Sequence, residues 1–396
     1  MKILALATNR GAQYRLLALG HEVTLLATLP FGIAADFKSG YGNLVYLGAE
    51  AGDDAFRALA ASLHAVCGFD LVHSFHDNYQ VLAADIAADL GVGCRHKKEA
   101  TRLAVDKART RERIRQAGVS TLGYSRVESL DQLRAVLGDM KFPVMAKPLE
   151  GTASKGVVKL DSMADLVPAL QDSLPMIVEP FIEGREFSVE SFSEDGTHRI
   201  LAVTEKFKAD DSFVEIGHLV PARIDAASWR RICAYATAVL DALEIENGPC
   251  HTEVMVSGEQ VELIETHTRT GGDEIPNLVR LACGLDLYDL EARQMTGERV
   301  LPSIPEDVAF PRHAAIWYLV PNEPRPRTLL EVDGVEDARA VPSVKSVKVE
   351  KMPGAIVHTL GYSFDRGAHV IAVDTDGDSA LASARAAVKQ LRFRLE

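Results

Sequence analysis

The chain has 396 residues, of which 47% are hydrophobic and 25% are charged, and its formal net charge is −13 at pH 7. This length and composition are typical of a globular protein of two or three domains and exclude a largely disordered chain. The acidic balance argues against a general nucleic-acid surface, because affinity for a phosphate backbone depends on clustered Lys and Arg. Any phosphate-binding site is therefore local.

The cysteines and the hydropathy pattern indicate a compartment. Five scattered cysteines show no C-x-x-C spacing, which predicts free thiols in a reducing environment. The apolar run after Lys2 is too short for a signal peptide, and no apolar run approaches the roughly 18 residues of a membrane-spanning helix. We therefore expect a cytoplasmic protein with no membrane and no nucleic-acid partner.

The first 95 residues alternate strand-like and helix-like patterns: KILALAT, AQYRLLALG, EVTLLAT, FDLVHSF and YQVLAADIAADLGV. This alternation predicts a parallel α/β unit. The turn TNRGAQ lacks the G-x-G-x-x-G fingerprint of a dinucleotide site. Ligands of parallel sheets bind at the carboxyl ends of strands, so His73, Ser74, His76 and Asp77 are candidates for substrate contact, with a polar loop tip as the alternative.

The next segments carry most of the basic residues. The stretch ATRLAVDKARTRERIRQAG predicts one basic helix that ends at Gly118. The stretch FPVMAKPLEGTASKGVVKL then predicts a strand ending near Lys147, a Gly/Ser loop and a second strand. Backbone amides of such a loop can form an anion-binding nest with Lys147 as the counter-charge, although a plain hairpin gives the same pattern.

A pair of glutamates gives the strongest chemical signal. HTEVMV and VELIETH predict a hairpin around Gly258–Gln260, and a three-residue loop places Glu253 directly opposite Glu265, with Cβ atoms roughly 5 Å apart. Strand alternation turns Glu265, His267 and Arg269 to one face. Two carboxylates this close need a proton or a cation between them. The pair therefore predicts a Mg²⁺ site that carries a phosphate, with a solvated strand face as the alternative.

The sequence beyond Pro302 is rich in strands such as AAIWYLV and closes with the amphipathic helix SALASARAAVKQLRF. It predicts a C-terminal α+β part without evident chemistry.

Four signals occur in a fixed order along the chain. The first is DK followed by R and AGV, and the second is a strand that ends in Lys before SKGV. The third is VEPFIEGREFSVE, and the fourth is the paired-glutamate hairpin, which ends in R-x-G-G. In this order they resemble the ATP-grasp superfamily over about residues 106–272. The segment FVEIGHLVPA, residues 213–222, is most similar to the L-amino-acid ligase (dipeptide synthase) branch, which includes the bacilysin-pathway dipeptide ligase.

The resemblance implies a fold and a division into domains. The implied class is α/β with α+β lobes, an ATP-grasp fold that follows a Rossmann-like parallel domain. The implied domains are the N-terminal α/β domain 1–96, the ATP-grasp domain 97–305 with a lid subdomain at about 120–186, and a strand-rich C-terminal subdomain 306–396.

The resemblance also implies an ATP-dependent carboxylate–amine ligase that joins amino-acid-like substrates through an acyl phosphate and releases ADP and phosphate. The implied cofactors are ATP and Mg²⁺ or Mn²⁺, and the implied partners are small amino-acid, carboxylate and amine substrates, with a homodimer as a candidate assembly. The alternatives are another ATP-grasp ligase, of purine-pathway or carboxylase type, and an ATP-binding regulatory protein without turnover.

Site residues carried over by the resemblance fall into groups. Those implied for the ATP phosphates are Lys107, Lys147 and the loop 151–156, with Ser154 and Gly156 as amide donors. Those implied for adenine and ribose are Glu179, the backbone of Phe181 and Ile182, and Glu186. Those implied for the substrate are Glu215, His218, Arg269, Gly271, Gly272 and Asp273.

Catalytic roles follow from the same resemblance. Glu253 and Glu265 would bind Mg²⁺, and Arg269 would grip the transferred phosphoryl group. Lys155 and Lys206 either reach the acyl phosphate or face solvent. His218 is a candidate base for the incoming amine, with the phosphate itself as the alternative. The Gly/Ser loop and the segment 205–213 would act as lids over the reaction.

Two positions depart from the family pattern. His267 stands where an Asn oxygen often completes the metal site, and imidazole prefers softer ions than Mg²⁺. His267 therefore binds substrate, orients Glu265 or ligates Mn²⁺. Gly272 and Asp273 replace a bulky aromatic residue, which predicts a wider or more polar pocket where Asp273 meets an amino group.

Overall fold

The computed structural model describes residues 1–7, 10–28, 40–149, 156–209 and 212–396. Within these ranges the chain combines one parallel sheet with three antiparallel sheets, so the mixed α/β class that the sequence predicts is confirmed. None of the helices in the described ranges is both long enough and apolar enough to cross a lipid bilayer.

The N-terminal unit is a parallel sheet with the strand order β3-β2-β1-β4. Its elements are β1 (Lys2–Leu6), α1 (Arg10–Ala18), β2 (Glu22–Thr28), β3 (Asn43–Leu47), α2 (Asp53–Cys67), β4 (Leu71–Ser74) and α3 (Asp77–Leu90). β1 and β2 are buried on both faces beyond their first residue, as expected for a parallel sheet that helices cover. The sequence analysis missed β3, whose NLVYL run is short and only half buried.

The basic segment that follows is two helices, α4 (Lys98–Val105) and α5 (Lys107–Gln116), so the prediction of one helix is wrong. Asp106 separates them with extended backbone, and its side chain accepts hydrogen bonds from the amides of Ala108 and Arg109. An aspartate cap of this kind starts a new helix. The break places Lys107 at the first position of α5.

A small antiparallel sheet forms the next unit, in the order β5-β8-β6-β7. Its elements are β5 (Ser125–Val127), α6 (Leu130–Asp139), β6 (Val144–Pro148), β7 (Val158–Leu160) and β8 (Met176–Pro180). Val127, Val144 and Val178 are fully buried against α6. The predicted strand–loop–strand around Lys147 is therefore present as the pair β6 and β7.

Eight of the remaining strands build an antiparallel sheet in the order β13-β12-β9-β10-β11-β14-β18-β16. These eight are β9 (Arg185–Glu194), β10 (Thr197–Lys208), β11 (Glu215–Val220), β12 (Gly248–Ser257), β13 (Gln260–His267), β14 (His313–Leu319), β16 (Val344–Val349) and β18 (Ala368–Asp374). The other three strands are β15 (Arg327–Asp333), β17 (Ile356–Val357) and β19 (Arg392–Leu395). The helices are α7 (Ala226–Ala242), α8 (Ile275–Cys283), α9 (Leu287–Met295), α10 (Val335–Arg339) and α11 (Gly377–Val388).

This central sheet joins the middle and the end of the chain. β11 pairs with β14, and β14 pairs with β18, while β15, β17 and β19 form a separate small sheet. Residues on both sides of position 305 therefore share one hydrogen-bonded sheet. The division into domains stays a prediction.

The paired-glutamate hairpin brings the predicted partners together, but with a different turn. Ser257 pairs with Gln260 around a two-residue turn, and a bulge between Glu253 and Val254 shifts the register by one residue. Beyond the bulge Glu253 lies directly opposite Glu265. The prediction of a three-residue loop is wrong, but the facing pair is confirmed, because the bulge adds the residue that the turn lacks.

A buried polar cluster lies where α9 meets the N-terminal unit. Ala292 and Met295 of α9 pack into the N-terminal core, while Glu291 on the same helix lies 3.9 Å from the Nε2 atom of His73. The ring of His73 stacks on that of His96 at 4.2 Å between centroids. Burial raises the pKa of Glu291 to about 8 and lowers the pKa of His73 to about 3. The interface therefore keeps both groups uncharged near neutral pH.

Gly217→Ala tests the packing of β11. A Cβ at this position would lie 2.3 Å from the Trp317 ring and 2.9 Å from the carbonyl oxygen of Ile316. We expect the free energy of unfolding to fall by about 1–3 kcal/mol, measured by chemical denaturation. Gly138→Ala is the control, since α6 leaves open space there and alanine favours a helix. Equal stabilities of the two variants would contradict the packing.

Glu291→Gln tests the buried cluster through its pH dependence. The ordinary pKa of 4.5 applies in the unfolded chain and about 8 in the folded one, so between these values the folded chain binds more protons and loses stability as the pH rises. Glutamine removes this loss. We expect the variant to gain roughly 1–3 kcal/mol over the wild type at pH 8 and almost nothing at pH 5, by urea denaturation.

The control for this variant is Glu306→Gln, at a side chain that is 92% exposed and is expected to change stability by less than about 0.5 kcal/mol. A gain for Glu291→Gln that is the same at both pH values would contradict the buried, protonated carboxyl group.

Candidate active site

Two cavities lie against the central sheet and share one wall. The first, of about 290 Å³, is lined by apolar side chains that include Met145, Phe181, Met255 and Ile264; we call it the apolar cavity. The second, of about 450 Å³, is lined by charged side chains that include Asp77, His267, Arg269, Asp273 and Arg366; we call it the polar cavity. The residues common to both linings are Glu215, Glu253 and Glu265.

Lys206 lies at the centre of the shared wall. Its Nζ is 2.6 Å from Glu253, 2.9 Å from Glu186 and 3.0 Å from Glu215, measured to carboxylate oxygens. Burial alone would lower the pKa of Lys206, but the three carboxylates outweigh it and hold the pKa well above its ordinary value. Lys206 is therefore a permanent cation between the cavities, not a solvent-facing lysine.

Glu253 is oriented by a second buried pair. His251 donates through Nε2 to Glu253 and through Nδ1 to Glu190, each at 3.0 Å. Burial would lower the pKa of His251, but the two carboxylates raise it to about 9, so the ring is protonated near neutral pH. Gly271 packs against this pair, because a Cβ there would lie 2.8 Å from the His251 ring.

Glu265 is held from the opposite side. Its carboxylate lies 3.2 Å from Lys107 and 3.2 Å from Nε2 of His267, and these partners outweigh burial to lower the pKa of Glu265 to about 2. The Nδ1 atom of His267 lies 3.2 Å from Asp77. Asp77 also accepts a 2.6 Å hydrogen bond from Nε of Arg269.

His267 contacts carboxylates through both ring nitrogens. Asp77 and Glu265 raise the pKa of the ring above its ordinary value against the effect of burial. This geometry favours the alternative that His267 orients Glu265, and its role as a metal ligand stays a prediction.

The carboxylates fit a hard divalent cation. Glu253 and Glu265 face each other across the hairpin, and both are ionised because their basic partners outweigh burial and hold the pKa of each carboxyl well below its ordinary value. Oxygens of Glu186, Glu215 and Glu253 also lie within 4.8 Å of one another, but the ammonium of Lys206 lies among them. Mg²⁺ prefers oxygen ligands, so the facing pair Glu253 and Glu265 is the donor set that fits the predicted metal.

The residues implied for adenine lie along the edge of the apolar cavity. The carboxylate of Glu179 is buried in ion pairs with Arg111 and with Lys147, the latter at 3.1 Å, and these outweigh burial to lower its pKa to about 2. The amide of Phe181 donates to the carbonyl of Pro143. The Glu179 carboxylate and the Phe181 amide are thus engaged within the protein, while Glu179, Phe181 and Ile182 all line the cavity. Their contact with adenine stays a prediction.

The other residues implied for ATP differ in whether they already have a partner and whether they line the apolar cavity. Glu186 is 7% exposed and pairs with Lys206 and Lys208, so its carboxylate is engaged too. Lys147 and Lys107 both line the apolar cavity. Gly156 has left-handed backbone with φ +74° beside Pro148. Ser154 and Lys155 lie outside the described residues.

Asp273 is not the open carboxylate that the sequence suggests. Arg366 binds it through both terminal nitrogens, at 2.5 and 2.7 Å, and Nε2 of His218 lies 3.1 Å from it. Burial would raise the pKa of Asp273, but these two partners hold it well below its ordinary value. His218 is only 1% exposed, but it lines the polar cavity together with Asp273.

The candidates at the end of β4 divide into two groups. His76 and Asp77 line the polar cavity. His73 and Ser74 are buried within the N-terminal unit, and Ser74 donates to the carbonyl of Leu6. Strand position alone therefore predicted the region but not which side chains reach the cavity.

Two basic residues of the site, Arg111 and Arg366, were not predicted. Arg111 pairs with Glu179 across 68 positions, and Arg366 pairs with Asp273 across 93. Neither pairing has a local sequence signal. The strand alternation does place His251 on the face of Glu253, two residues away, and the structure buries it with both ring nitrogens hydrogen-bonded.

Comparison with known proteins gives family matches at two places. Residues 170–277 match the family described as ATP-grasp domain, and residues 323–396 match the L-amino acid ligase C-terminal domain 2. The chain therefore carries an ATP-grasp domain, as its motif order predicts.

Similar curated proteins are distant and longer. The chain is 25% identical over 300 residues to the uncharacterized protein y4rH of Sinorhizobium fredii, covering 73% of this chain and 61% of that protein. It is 25% identical over 292 residues to an alanine–anticapsin ligase of Bacillus subtilis, covering 66% of this chain and 61% of that protein. The match thus spans less than two thirds of either relative.

Solved structures share the fold along the whole chain. An L-amino acid ligase from Bacillus licheniformis aligns with a TM-score of 0.88 at 20% identity, covering 100% of this chain and 98% of that one. N5-carboxyaminoimidazole ribonucleotide synthetase from Thermotoga maritima aligns with a TM-score of 0.75 at 19% identity, covering 100% and 99%. At these low identities the structural alignments show that the chain shares the ATP-grasp fold.

Asp77→Asn tests how the N-terminal unit holds the site. Asparagine keeps the shape but removes the charge that pairs Asp77 with Arg269 and His267. We expect the free energy of unfolding to fall by about 1–3 kcal/mol, because two partly buried cations lose their counter-charge. The control is Asp89→Asn, which removes a 57% exposed partner of Arg57 and is expected to change stability by less than about 1 kcal/mol. Equal losses would contradict the buried pairing.

Proposed function

We propose, from the premise that the chain carries an ATP-grasp domain, that it is an ATP-dependent carboxylate–amine ligase. It forms an amide or peptide bond between amino-acid-like substrates through an acyl phosphate and releases ADP and phosphate. The observation that carries the proposal is the shared wall, where Glu215, Glu253 and Glu265 separate an apolar cavity from a polar one. Two substrates of different chemistry can meet there.

ATP would occupy the apolar cavity. Phe181, Met255 and Ile264 offer the apolar surface that a purine base requires. Lys107 and Lys147 line the same cavity, and compact ammonium charges offset the charge of the phosphates. The phosphates would therefore point towards Glu265, which Lys107 already contacts.

Mg²⁺ would be held by Glu253 and Glu265, where it supplies charge neutralisation between the nucleotide phosphates and the attacking carboxylate. The chain itself holds these two ligands in place. His251 and Lys206 orient Glu253, while His267 and Lys107 orient Glu265.

The carboxylate substrate would bind in the polar cavity. Arg269 lines it, and Asp77 fixes the guanidinium through Nε. Nη1 of Arg269 donates to the carbonyl of Thr270, and we assign Nη2 to the transferred phosphoryl group. A substrate carboxylate attacks the γ-phosphorus, the bond to ADP breaks, and an amine later displaces phosphate from the acyl phosphate.

The amine must lose a proton before it attacks. His218 lines the polar cavity with its Nε2 against Asp273, and the pKa of Asp273 is held well below its ordinary value. We therefore assign the proton of the amine to the leaving phosphate, with His218 as the alternative base. Within the predicted lid segment 205–213, residues 205–208 belong to β10 and Lys206 is buried, so this part is not a lid; residues 151–155 of the predicted loop and residues 210–211 lie outside the described residues. Cytoplasmic location and a homodimer stay predictions.

The runner-up is another ATP-grasp ligase, of the purine-pathway or carboxylase type, whose fold is also similar. The match of residues 323–396 to the L-amino acid ligase C-terminal domain 2 favours the amino-acid ligase. The ionised pair Glu253 and Glu265, with its basic partners in place, supports turnover over a purely regulatory ATP-binding role.

Glu265→Gln tests the proposed function. Glutamine keeps the size of the side chain but removes the charge that would bind the metal, and we expect substrate-dependent ADP release to fall at least about 100-fold. ADP release is measured across a panel of amino-acid pairs with ATP and Mg²⁺.

Glu259→Gln is the matched control, because Glu259 lies exposed at the tip of the same hairpin and is expected to leave turnover unchanged. Retained turnover in Glu265→Gln would contradict the metal assignment. ADP release that no amino-acid pair stimulates, in a wild-type protein that binds ATP, would contradict the ligase function.

A further inference from the structure

The far wall of the polar cavity comes from the C-terminal segment. Arg366 follows a short helical turn at 363–365 and precedes β18, within the residues that match the L-amino acid ligase C-terminal domain 2. It is 8% exposed, and its guanidinium lies 3.8 Å from the centre of the Tyr318 ring. The C-terminal segment, which shows no chemistry in its sequence, thus delivers a buried cation to the cavity.

Arg366 is nearly saturated with acceptors. Beyond its two bonds to Asp273, it donates from Nη1 to the carbonyl of Glu215 at 3.1 Å and from Nε to the carbonyl of Ser363 at 2.7 Å. Four of its five N–H donors are therefore in use. It cannot offer a substrate carboxylate the two parallel donors that make arginine selective for one.

Asp273 faces the cavity in its place. Its side chain is 24% exposed, and it is ionised at neutral pH because Arg366 and His218 stabilise the carboxylate. Glu274 lines the same cavity and adds negative charge, while the charge of Glu215 is paired with Lys206. A carboxylate brought to this wall meets acceptors, while the nearest guanidinium is already occupied.

The turn that carries Asp273 depends on this contact. Asp273 and Glu274 both have left-handed backbone, with φ of +52° and +62°, a conformation that costs non-glycine residues about 1 kcal/mol or more each. The bidentate bond to Arg366 holds the turn where α8 begins. Arg366 is thus a positioning residue for Asp273.

We propose that Asp273 and Arg366 together set the charge selectivity of the polar cavity, so that it accepts a neutral or amine-bearing amino acid and rejects one whose side chain is a carboxylate. This inference rests on the proposed ligase function, since it assigns a substrate to the same cavity. Asp273 accepts the hydrogen bonds that Arg366 would otherwise offer to a substrate carboxylate, and Arg366 holds the Asp273 side chain in place.

Asp273→Ala tests the selectivity, because it releases a buried guanidinium that needs an anion. Isothermal titration calorimetry in the presence of ADP and Mg²⁺ measures the binding of glutamate against glutamine and of aspartate against asparagine. We expect the ratio of acid to amide affinity to rise at least tenfold over the wild type. The near-isosteric Asp273→Asn should shift the ratio in the same direction.

Arg366 variants provide the controls. The double variant Asp273→Ala with Arg366→Met should lose the gain for acids, since no guanidinium remains. Arg366→Met alone should shift the ratio the opposite way and favour 2,4-diaminobutyrate over glutamine, because Asp273 loses its counter-charge. ADP affinity within threefold of wild type shows that each variant is folded.

Three results would overturn the proposal. They are an acid-to-amide ratio that stays within threefold of wild type in both Asp273 variants, a gain that persists in the double variant, and no amino-acid binding in any variant that still binds ADP. These titrations need no turnover. The absence of ADP release with every substrate pair would instead overturn the ligase function.

Discussion

The interaction on which the rest depends is the pairing of buried charges across the central sheet. A carboxylate taken out of water costs several kcal/mol unless an opposite charge and hydrogen bonds replace its hydration. Glu253 and Glu265 meet this requirement with a histidine on each of their own strands, with Lys206 on β10 and with Lys107 on α5. The sheet must therefore form in one register for its acidic residues to be tolerated at all.

The same requirement ties distant parts of the chain together. Asp77 from the N-terminal unit pairs with Arg269 across 192 positions, and Arg366 from the C-terminal segment pairs with Asp273 across 93. Each pair completes one side of the polar cavity. Because neither partner is stable alone in a buried position, docking of the outer units and assembly of the cavity are one event.

The sequence predicts those features that depend on residues close together in the chain. The prediction that Glu253 faces Glu265 is confirmed, although it assumed a three-residue loop where the chain has a two-residue turn and a bulge. Motif order was enough for the ATP-grasp fold. It could not predict Arg111 or Arg366, because a buried arginine has the same sequence appearance as a solvated one. It also misjudged Asp106, whose cap breaks a helix that periodicity alone would continue. Which residue a buried arginine contacts depends on the tertiary structure.

The bulge beside Glu253 has a consequence for engineering the hairpin. On its inner side the strands hold the facing glutamates, and on its outer side they end in a two-residue turn at Gly258. The bulge adds one residue between the two parts. The pairing that holds Glu253 opposite Glu265 is therefore determined by the bulge and by the pairing of β12 with β9, and it does not depend on the residues at the tip. A fluorescent label or affinity peptide inserted at the tip would lie about 5 residue spacings, or roughly 17 Å, from Glu253 and would leave the facing glutamates in place.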